Sequence, residues 1–468
     1  LWAQPVPIVV LAIVYAVRFG TLSVAVLRAY GQPAFDMGIP DQGVWLLSRF
    51  HDPFVTVMGR QLFGDHSTYI YLVLVPLYWV YPHTAVLLVV QAMLLAGAAI
   101  PIYLLGRHVL RSVVLATLAA AAYLLNPELQ QGNMEQFHVE CFEVFLIAMA
   151  LYAAVVWHPR LLAVMVLLLL LCKEDAAMYA IPLGLWVAFR RHRPLGLAIA
   201  LAATWIALID NLLVIPALIG VANIHGNRFP FHGIFGSLKE LIRHPAQVWS
   251  YVVSNKRPYY IWQIAFSAGL VFVIAPEIAL IAIVGISVNI WSTFGYQHEI
   301  GYHYSLPIAP ILACATVWAL SRLPAGRRRT LLTGGVFVCA LWACVLWGLA
   351  PFSDEKYPHT SPQDPSVLAI NTVVRAVPPN SVVSAYYGFV PALDHRTQIY
   401  MWPNPFEANN WGTLKEEGQP LPFAYKVQFV VLPDSVVASD PNWKQIASQF
   451  HPVVSNTAAT LFERDAPG

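Results

Sequence analysis

The sequence predicts a polytopic α-helical membrane protein that carries a small α/β domain at its C-terminal end. Three observations predict it. Of 468 residues, 58% are hydrophobic and 11% charged, against roughly 25% charged in a soluble domain. Apolar runs recur from residue 6 to residue 351 and then stop. The polar breaks between the runs alternate in kind. Arg107-His108/Arg111, Arg160, Arg190-Arg191-His192-Arg193 and Arg322/Arg327-Arg328-Arg329 are basic; Asp36/Asp41, Asp65-His66, Glu135/His138/Glu140/Glu143, Lys173-Glu174-Asp175 and His298-Glu299/His303 are acidic or histidine-rich. Arg and Lys are retained on the cytoplasmic side of a membrane. The alternation therefore puts the N-terminus and every basic break inside and the acidic clusters outside.

A bilayer is crossed by about 20 apolar residues, fewer where a segment is broken. On that rule spans are expected at 6–27, 83–106, 112–126, 138–157, 161–172, 176–189, 195–219, 259–275, 277–295, 305–322 and 331–351, about eleven in all. Leu1 is no initiator, and the first run reads as a retained span rather than a cleaved signal. Residues 28–82 are an outer loop in which 38–50 and 67–82 have the length and edges of interfacial helices. Residues 220–257 form a second, basic outer loop that includes His225, Arg228, Lys239 and Arg243. The division is thus 1–351 in the membrane and 352–468 outside it. In the outer part, 366–377 has helical periodicity, and 381–385, 398–401, 426–432 and 459–463 read as strands. A net charge of +2 supplies no basic face for nucleic acid. The five cysteines have neither disulfide nor zinc-pair spacing.

The outer breaks hold the chemistry. Asp36 follows the first span directly, where a carboxylate can take a proton beside a lipid-borne reactant. Asp41 suits either substrate binding or the N-cap of the helix after it. Asp65-His66 suits substrate orientation, metal binding or a base-orienter pair, unless Asp65 or Ser67 merely caps the helix that follows. His138, Glu140 and Glu143 open a span; the two glutamates share a helix face, which must turn from lipid into a cavity unless they only serve the helix dipole. Lys173 is a lone outer cation beside Glu174 and Asp175, able to hold a phosphate as a point charge or to pair with its neighbours. His298, Glu299, Tyr302 and His303 form a dense loop suited to hydroxyls or phosphate. It fails as HExxH, because Tyr302 stands where the second histidine belongs. Tyr386, Tyr387, Trp402 and Trp411 are either sugar-stacking rings or core. No Walker A, GxGxxG or GxSxG element occurs.

Taken together, Phe35-Asp36-Met37-Gly38-Ile39-Pro40-Asp41-Gln42, Gly64-Asp65-His66, Phe137-His138-Val139-Glu140-Cys141-Phe142-Glu143, Cys172-Lys173-Glu174-Asp175, His298-Glu299-Ile300-Gly301-Tyr302-His303-Tyr304 and Val377-Pro378-Pro379-Asn380-Ser381 resemble the bacterial predicted-membrane-protein family of domain of unknown function 2079. That family in turn resembles the GT-C superfamily of integral-membrane glycosyltransferases. The resemblance implies an inverting transfer of sugar from a polyprenyl-phosphate donor. Asp36 falls at the catalytic acid position, Lys173 near the donor phosphate, and His298 and His303 in a late loop that meets the donor. Asp41 departs from the closely spaced acidic pair common in that superfamily. Arg257 is expected to join Lys173 and the histidines on the phosphate. No cofactor is required, although the acids near Asp65 and His298 leave a divalent cation open.

The expected activity is therefore sugar transfer at the outer face of the plasma membrane to a glycan, lipid or protein acceptor. A lipid or sugar transporter predicts repeats and broken helices at the midplane, and a non-catalytic envelope assembly protein predicts tolerance of substitutions at Asp36.

Overall fold

The computed structural model describes residues 5–220, 228–409 and 416–466; His225 and Trp411 lie outside them. Five helices are long and apolar enough to cross a membrane: Val6–Arg28, Ala85–Leu110, Arg193–Ile219, His303–Ser321 and Arg327–Trp347. A sixth span is made if Val113–Leu124 and Pro127–Met134, bent by 41° at their junction, count as one. The five overlap expected spans, and of the bent pair only Val113–Leu124 falls in one, 112–126. The other expected spans are shorter helices, Glu140–Val156, Pro159–Leu170, Ala177–Arg190, Arg257–Ser267 and Ile283–Trp291, so length and composition alone do not yield eleven. The break after Ser267 has a clear cause. Gly269 and Leu270 are both left-handed, at φ 76° and 61°, a conformation that ends a helix.

The chain forms two compact units. The first comprises Leu1–Thr21, Val89–Leu213 and Ala222–Tyr357. At its centre lies Ile308–Ser321, buried on nearly every face, as expected of a helix that is apolar all round. It packs on Ala99–Leu110, Val113–Leu124 and Glu140–Val156. Small residues let backbones touch: a Cβ on Gly196 would lie 2.1 Å from the Ala188 nitrogen and 2.4 Å from the Gly184 oxygen. Such contacts drive helix association where water is absent. Two basic breaks meet in this unit. Arg190 and Arg322 lie 3.3 and 3.2 Å from the same Glu277 carboxylate.

The second unit comprises Leu22–Leu88, Val214–Val221 and Pro358–Gly468. The first outer loop therefore folds with C-terminal residues. A π-helical turn, Ala34–Gly38, runs into the helix Ile39–Ser48. Strands β1 (Phe54–Val55) and β2 (Arg60–Gln61) pair antiparallel, and the helix Val75–Val80 follows. The C-terminal residues form a five-stranded sheet of β3 (Val383–Ala385), β4 (Ile399–Met401), β5 (Phe429–Pro433), β6 (Phe450–Ser455) and β7 (Ala459–Arg464), in the order β4-β3-β5-β7-β6. The first three strands are parallel and the last two antiparallel. The helix Pro365–Val374 is capped by Asp364. Two residues stitch the loop to the sheet: Gln42 Nε2 donates to Thr56 Oγ1 and to the Arg396 carbonyl, and Thr56 Oγ1 donates to the Ile399 carbonyl at 2.7 Å. Trp402 is core, packed with Trp443, Phe450 and Phe462, and its indole donates to Asp440. Tyr386 packs partly against that core, and Tyr387 is exposed.

Candidate functional site

In the first unit the acidic and histidine breaks converge. Gln91 shapes the approach. Its Nε2 donates to the carbonyls of Asn133 and Gln136, and its Oε1 accepts from the His138 backbone at 2.9 Å. That bracket presents Glu135 and His138 at the mouth of the helix Glu140–Val156. On the other side Asn289 holds Tyr260 and the Tyr304 carbonyl, and Tyr260 meets Ser305 at 3.0 Å. This anchors the turn that carries His303.

His303 binds Glu135 Oε2 twice, through its backbone nitrogen at 2.6 Å and its Nδ1 at 3.1 Å. Its ring stacks on His138, centroids 3.7 Å apart. The His138 Nε2 lies 3.6 Å from Glu135. Lys173 Nζ donates to Glu140 at 2.9 Å and lies 3.5 Å from Asp175. His303 Nε2 stands 4.0 Å from the same Glu140 oxygen. Glu143 is buried, and its Oε1 has no hydrogen-bond partner among the described residues. Glu174 is half-buried at the Lys173 break. Burial pushes the Glu135 carboxyl up, but the two histidines outweigh it and hold it below the usual range. Glu135, His138 and His303 each offer a ligand atom within 4.8 Å of the others, a set able to hold a divalent cation.

The other expected residues of this unit are Arg257, His298, Glu299 and Tyr302. Arg257 is a correction. Its guanidinium is buried and donates to the carbonyls of Ile290, Tyr251, Ser254 and Ser292, with the Tyr251 ring 4.0 Å away. All three nitrogens are engaged by the protein, so it clamps loops rather than offering itself to a phosphate. His298 is buried, its Nδ1 unpartnered among the described residues. Glu299 pairs with exposed Lys256 at 3.5 Å. Tyr302 packs on Tyr296, ring centroids 4.6 Å apart.

In the second unit Asp36 lies half-buried on the π-helical turn. Asp41 is fully buried and is no N-cap: the cap position is Gly38, and no side chain bonds there. Its Oδ1 instead accepts from Tyr78 and lies 3.2 Å from His395 Nε2. Burial raises both Asp41 and Asp394, but His395 draws Asp41 below the usual carboxylate range, and the Asp41 charge drives Asp394 further up. Asp65 pairs with Arg60 at 3.2 Å, and its neighbour His66 is extended. Neither Asp65 nor Ser67 holds the cap position of the turn Tyr69–Val73, which is Thr68.

Sequence reasoning assigned no role to Asp394, His395 or Tyr78. The one available signal was an Asp-His pair in a stretch otherwise read as connecting loop.

The fold thus sets a buried cluster of acids, imidazoles and one ammonium group among the apolar helices of the first unit. The chain belongs to the family described as Predicted membrane protein (DUF2079), which matches residues 32–452. Its fold is similar to that of ArnT. The crystal structure of ArnT from Cupriavidus metallidurans bound to undecaprenyl phosphate is similar at a TM-score of 0.54, with 12% identity over 97% of each chain. The apo structure of the same protein is similar at 0.51, with 14% identity over 97% of each. No curated protein matches this chain.

Proposed function

We propose that this chain is an inverting membrane glycosyltransferase. It moves a sugar from a polyprenyl-phosphate donor to a cell-envelope glycan, lipid or protein acceptor at the outer face of a bacterial plasma membrane. In this reading the chain crosses about eleven times, with the acidic clusters and residues 352–468 outside. The observation that carries the reading is the likeness in fold to ArnT over 97% of both chains, in a structure that binds undecaprenyl phosphate. The meeting of Arg190 and Arg322 at Glu277 supports the grouping of basic breaks at one end.

In the reaction an acceptor hydroxyl attacks the anomeric carbon opposite the phosphate. The new C–O bond forms as the bond from that carbon to the phosphate oxygen breaks. The hydroxyl proton passes to Asp36, and the electron pair leaves on the polyprenyl phosphate. Lys173, His303 and His298 offset the charge that develops there, an effect that a water-poor site strengthens. Carboxylates outnumber cations around Lys173, since Glu135, Glu140, Glu143 and Asp175 are close by. A phosphate is therefore favoured only with protonated imidazoles or with a divalent cation on Glu135, His138 and His303. His138, Glu140, Glu143, Glu174, Glu299, Tyr302, Asp41, Asp65 and His66 serve in this reading as substrate-binding residues. An open groove of about 370 Å³ lined by His51, Asp52, Gln398, Tyr400 and Lys426 has the polar and aromatic lining that a glycan acceptor uses.

The test is binding of labelled undecaprenyl phosphate to purified protein, with and without EDTA. Wild type is expected to bind, and Lys173→Gln and His303→Gln to bind at least about tenfold more weakly, as loss of a charge-assisted contact worth ~1.5–3 kcal/mol implies. Equal binding by all three proteins removes these residues from the donor site. Flux of the lipid across vesicles without any transfer favours a transporter.

A further inference from the structure

The proposed chemistry gives Asp394 and His395 no role, although both lie against Asp41 in the second unit. Asp41 is wholly buried and Asp394 is 1% exposed. The Oδ2 of each has no hydrogen-bond partner among the described residues. His395 completes the group, its Nε2 3.2 Å from Asp41 Oδ1. One ligand atom from each of the three lies within 4.8 Å of the others.

Two carboxylates buried together need a compensating charge, because neither water nor a neutral wall repays their desolvation. The nearby cation, Arg396, offsets the Asp394 charge only in part, since burial still holds that carboxyl well above its usual range. Arg396 spends its guanidinium on the carbonyls of Leu393, Pro378 and Ser381. We propose that Asp41, Asp394 and His395 form a divalent-metal site of zinc type, which ties the segment after the π-helical turn to the segment before β4.

The donor set supports this class of ion. One imidazole and two carboxylates suit zinc, which takes three protein ligands and leaves a fourth position to water. Bonds of about 2.0–2.1 Å hold tetrahedral ligand atoms roughly 3.3 Å apart, close to the 3.2 Å between His395 Nε2 and Asp41 Oδ1. The outer partners are in place. Tyr78 donates to Asp41 Oδ1, and Trp45 stacks on the His395 ring at 5.9 Å and 16°. Groups of this kind fix the orientation of metal ligands. His395 is also the one member open to solvent, with 26% of its side chain exposed, which gives an ion a way in. The proposal does not depend on the glycosyltransferase reading. A bound ion would order the turn that carries Asp36, whatever Asp36 does.

The competing account is a proton shared between Asp41 and Asp394. The two accounts predict opposite effects of an isosteric amide, which keeps a hydrogen bond but removes a metal ligand. Full-length protein is purified in detergent, stripped with EDTA, and titrated with zinc and then cobalt. Metal content and the cobalt d–d absorption spectrum are read. Wild type is expected to take up an equivalent of zinc that is lost in Asp394→Asn and His395→Gln and retained in His303→Gln. Tyr78→Phe, which removes only an outer partner, should weaken affinity by about 10–100-fold. If a ligand variant aggregates, His395→Cys, which keeps a zinc donor, should restore uptake. Failure of wild type to bind either metal overturns the proposal. Undiminished uptake by Asp394→Asn and His395→Gln overturns it too. An Asp394→Asn protein that melts at or above the wild-type temperature without any metal in either protein establishes the shared proton instead.

Discussion

Lys173 and Glu140 are the residues on which the buried cluster of the first unit depends. Both are nearly buried, and their 2.9 Å contact neutralises charges that water no longer screens. Removal of one partner of such a pair costs about 3–5 kcal/mol, because the other is left charged and unpaired. Lys173→Met should lower stability by that amount in denaturant unfolding in detergent. The double variant Lys173→Met/Glu140→Gln should lose at least ~1 kcal/mol less than the sum of the single variants. Glu135 gives a pH signature. Its carboxyl is held below the usual range by His138 and His303, whereas the unfolded chain has a glutamate value of about 4.3. The resulting stability is fully present above that unfolded value and is lost as pH falls through the lower folded one. The melting temperature should therefore drop as pH goes below about 4, and Glu135→Gln should flatten the drop. An unchanged profile in Glu135→Gln would show that other groups carry acid unfolding. At this scale the sequence identified Lys173, Glu140, His138 and His303 as chemically unusual, because each is a polar group set beside long apolar runs. It did not reveal who pairs with whom. Lys173 was flanked by Glu174 and Asp175 in sequence, yet its closest partner lies 33 residues away. The job of Arg257 was likewise hidden, since backbone carbonyls that satisfy a guanidinium leave no trace in composition.

The two helices Ala177–Arg190 and Arg193–Ile209 pack backbone against backbone at Gly184 and Gly196. A methyl group on Gly196 would meet backbone atoms, which cannot rotate aside. Gly196→Ala is expected to cost about 1–3 kcal/mol by overpacking. Gly334→Ala, in a helix where a Cβ meets nothing within 4 Å, should be neutral or stabilising by up to ~1 kcal/mol. Equal melting temperatures for these two variants would contradict the packing described here. Element boundaries were legible wherever one physical signal dominated. Apolar length placed Val6–Arg28 and Arg327–Trp347, and alternation placed β3, β4, β5 and β7. The signal failed where two conflicted. Strand β6 contains Pro452, which argues against a strand; the structure tolerates it at the sheet edge beside an irregularity between Pro452 and Val454. The stretch 259–275 is apolar enough for a span, but the left-handed Gly269–Leu270 step ends the helix, and hydropathy carries no information on that.

Across the whole chain, hydropathy and charge alternation made the membrane class legible, and family motifs extended it to a fold that the likeness to ArnT supports. The association of residues 22–88 with 358–468 in one compact unit was not legible. It rests on long-range hydrogen bonds such as those of Gln42 and Thr56, and the polar outer segments were read one by one. The central claim is chemical and is tested by one comparison. Sugar transfer by purified wild type and Asp36→Asn is measured with a panel of polyprenyl-phosphate sugars and envelope glycan acceptors. The account predicts transfer by wild type that falls by about 10²–10⁴-fold in Asp36→Asn, the usual scale for removal of a general base, with donor binding retained. Transfer that persists undiminished in Asp36→Asn would remove Asp36 as the base. Absence of transfer from every donor by wild type would contradict the glycosyltransferase account itself.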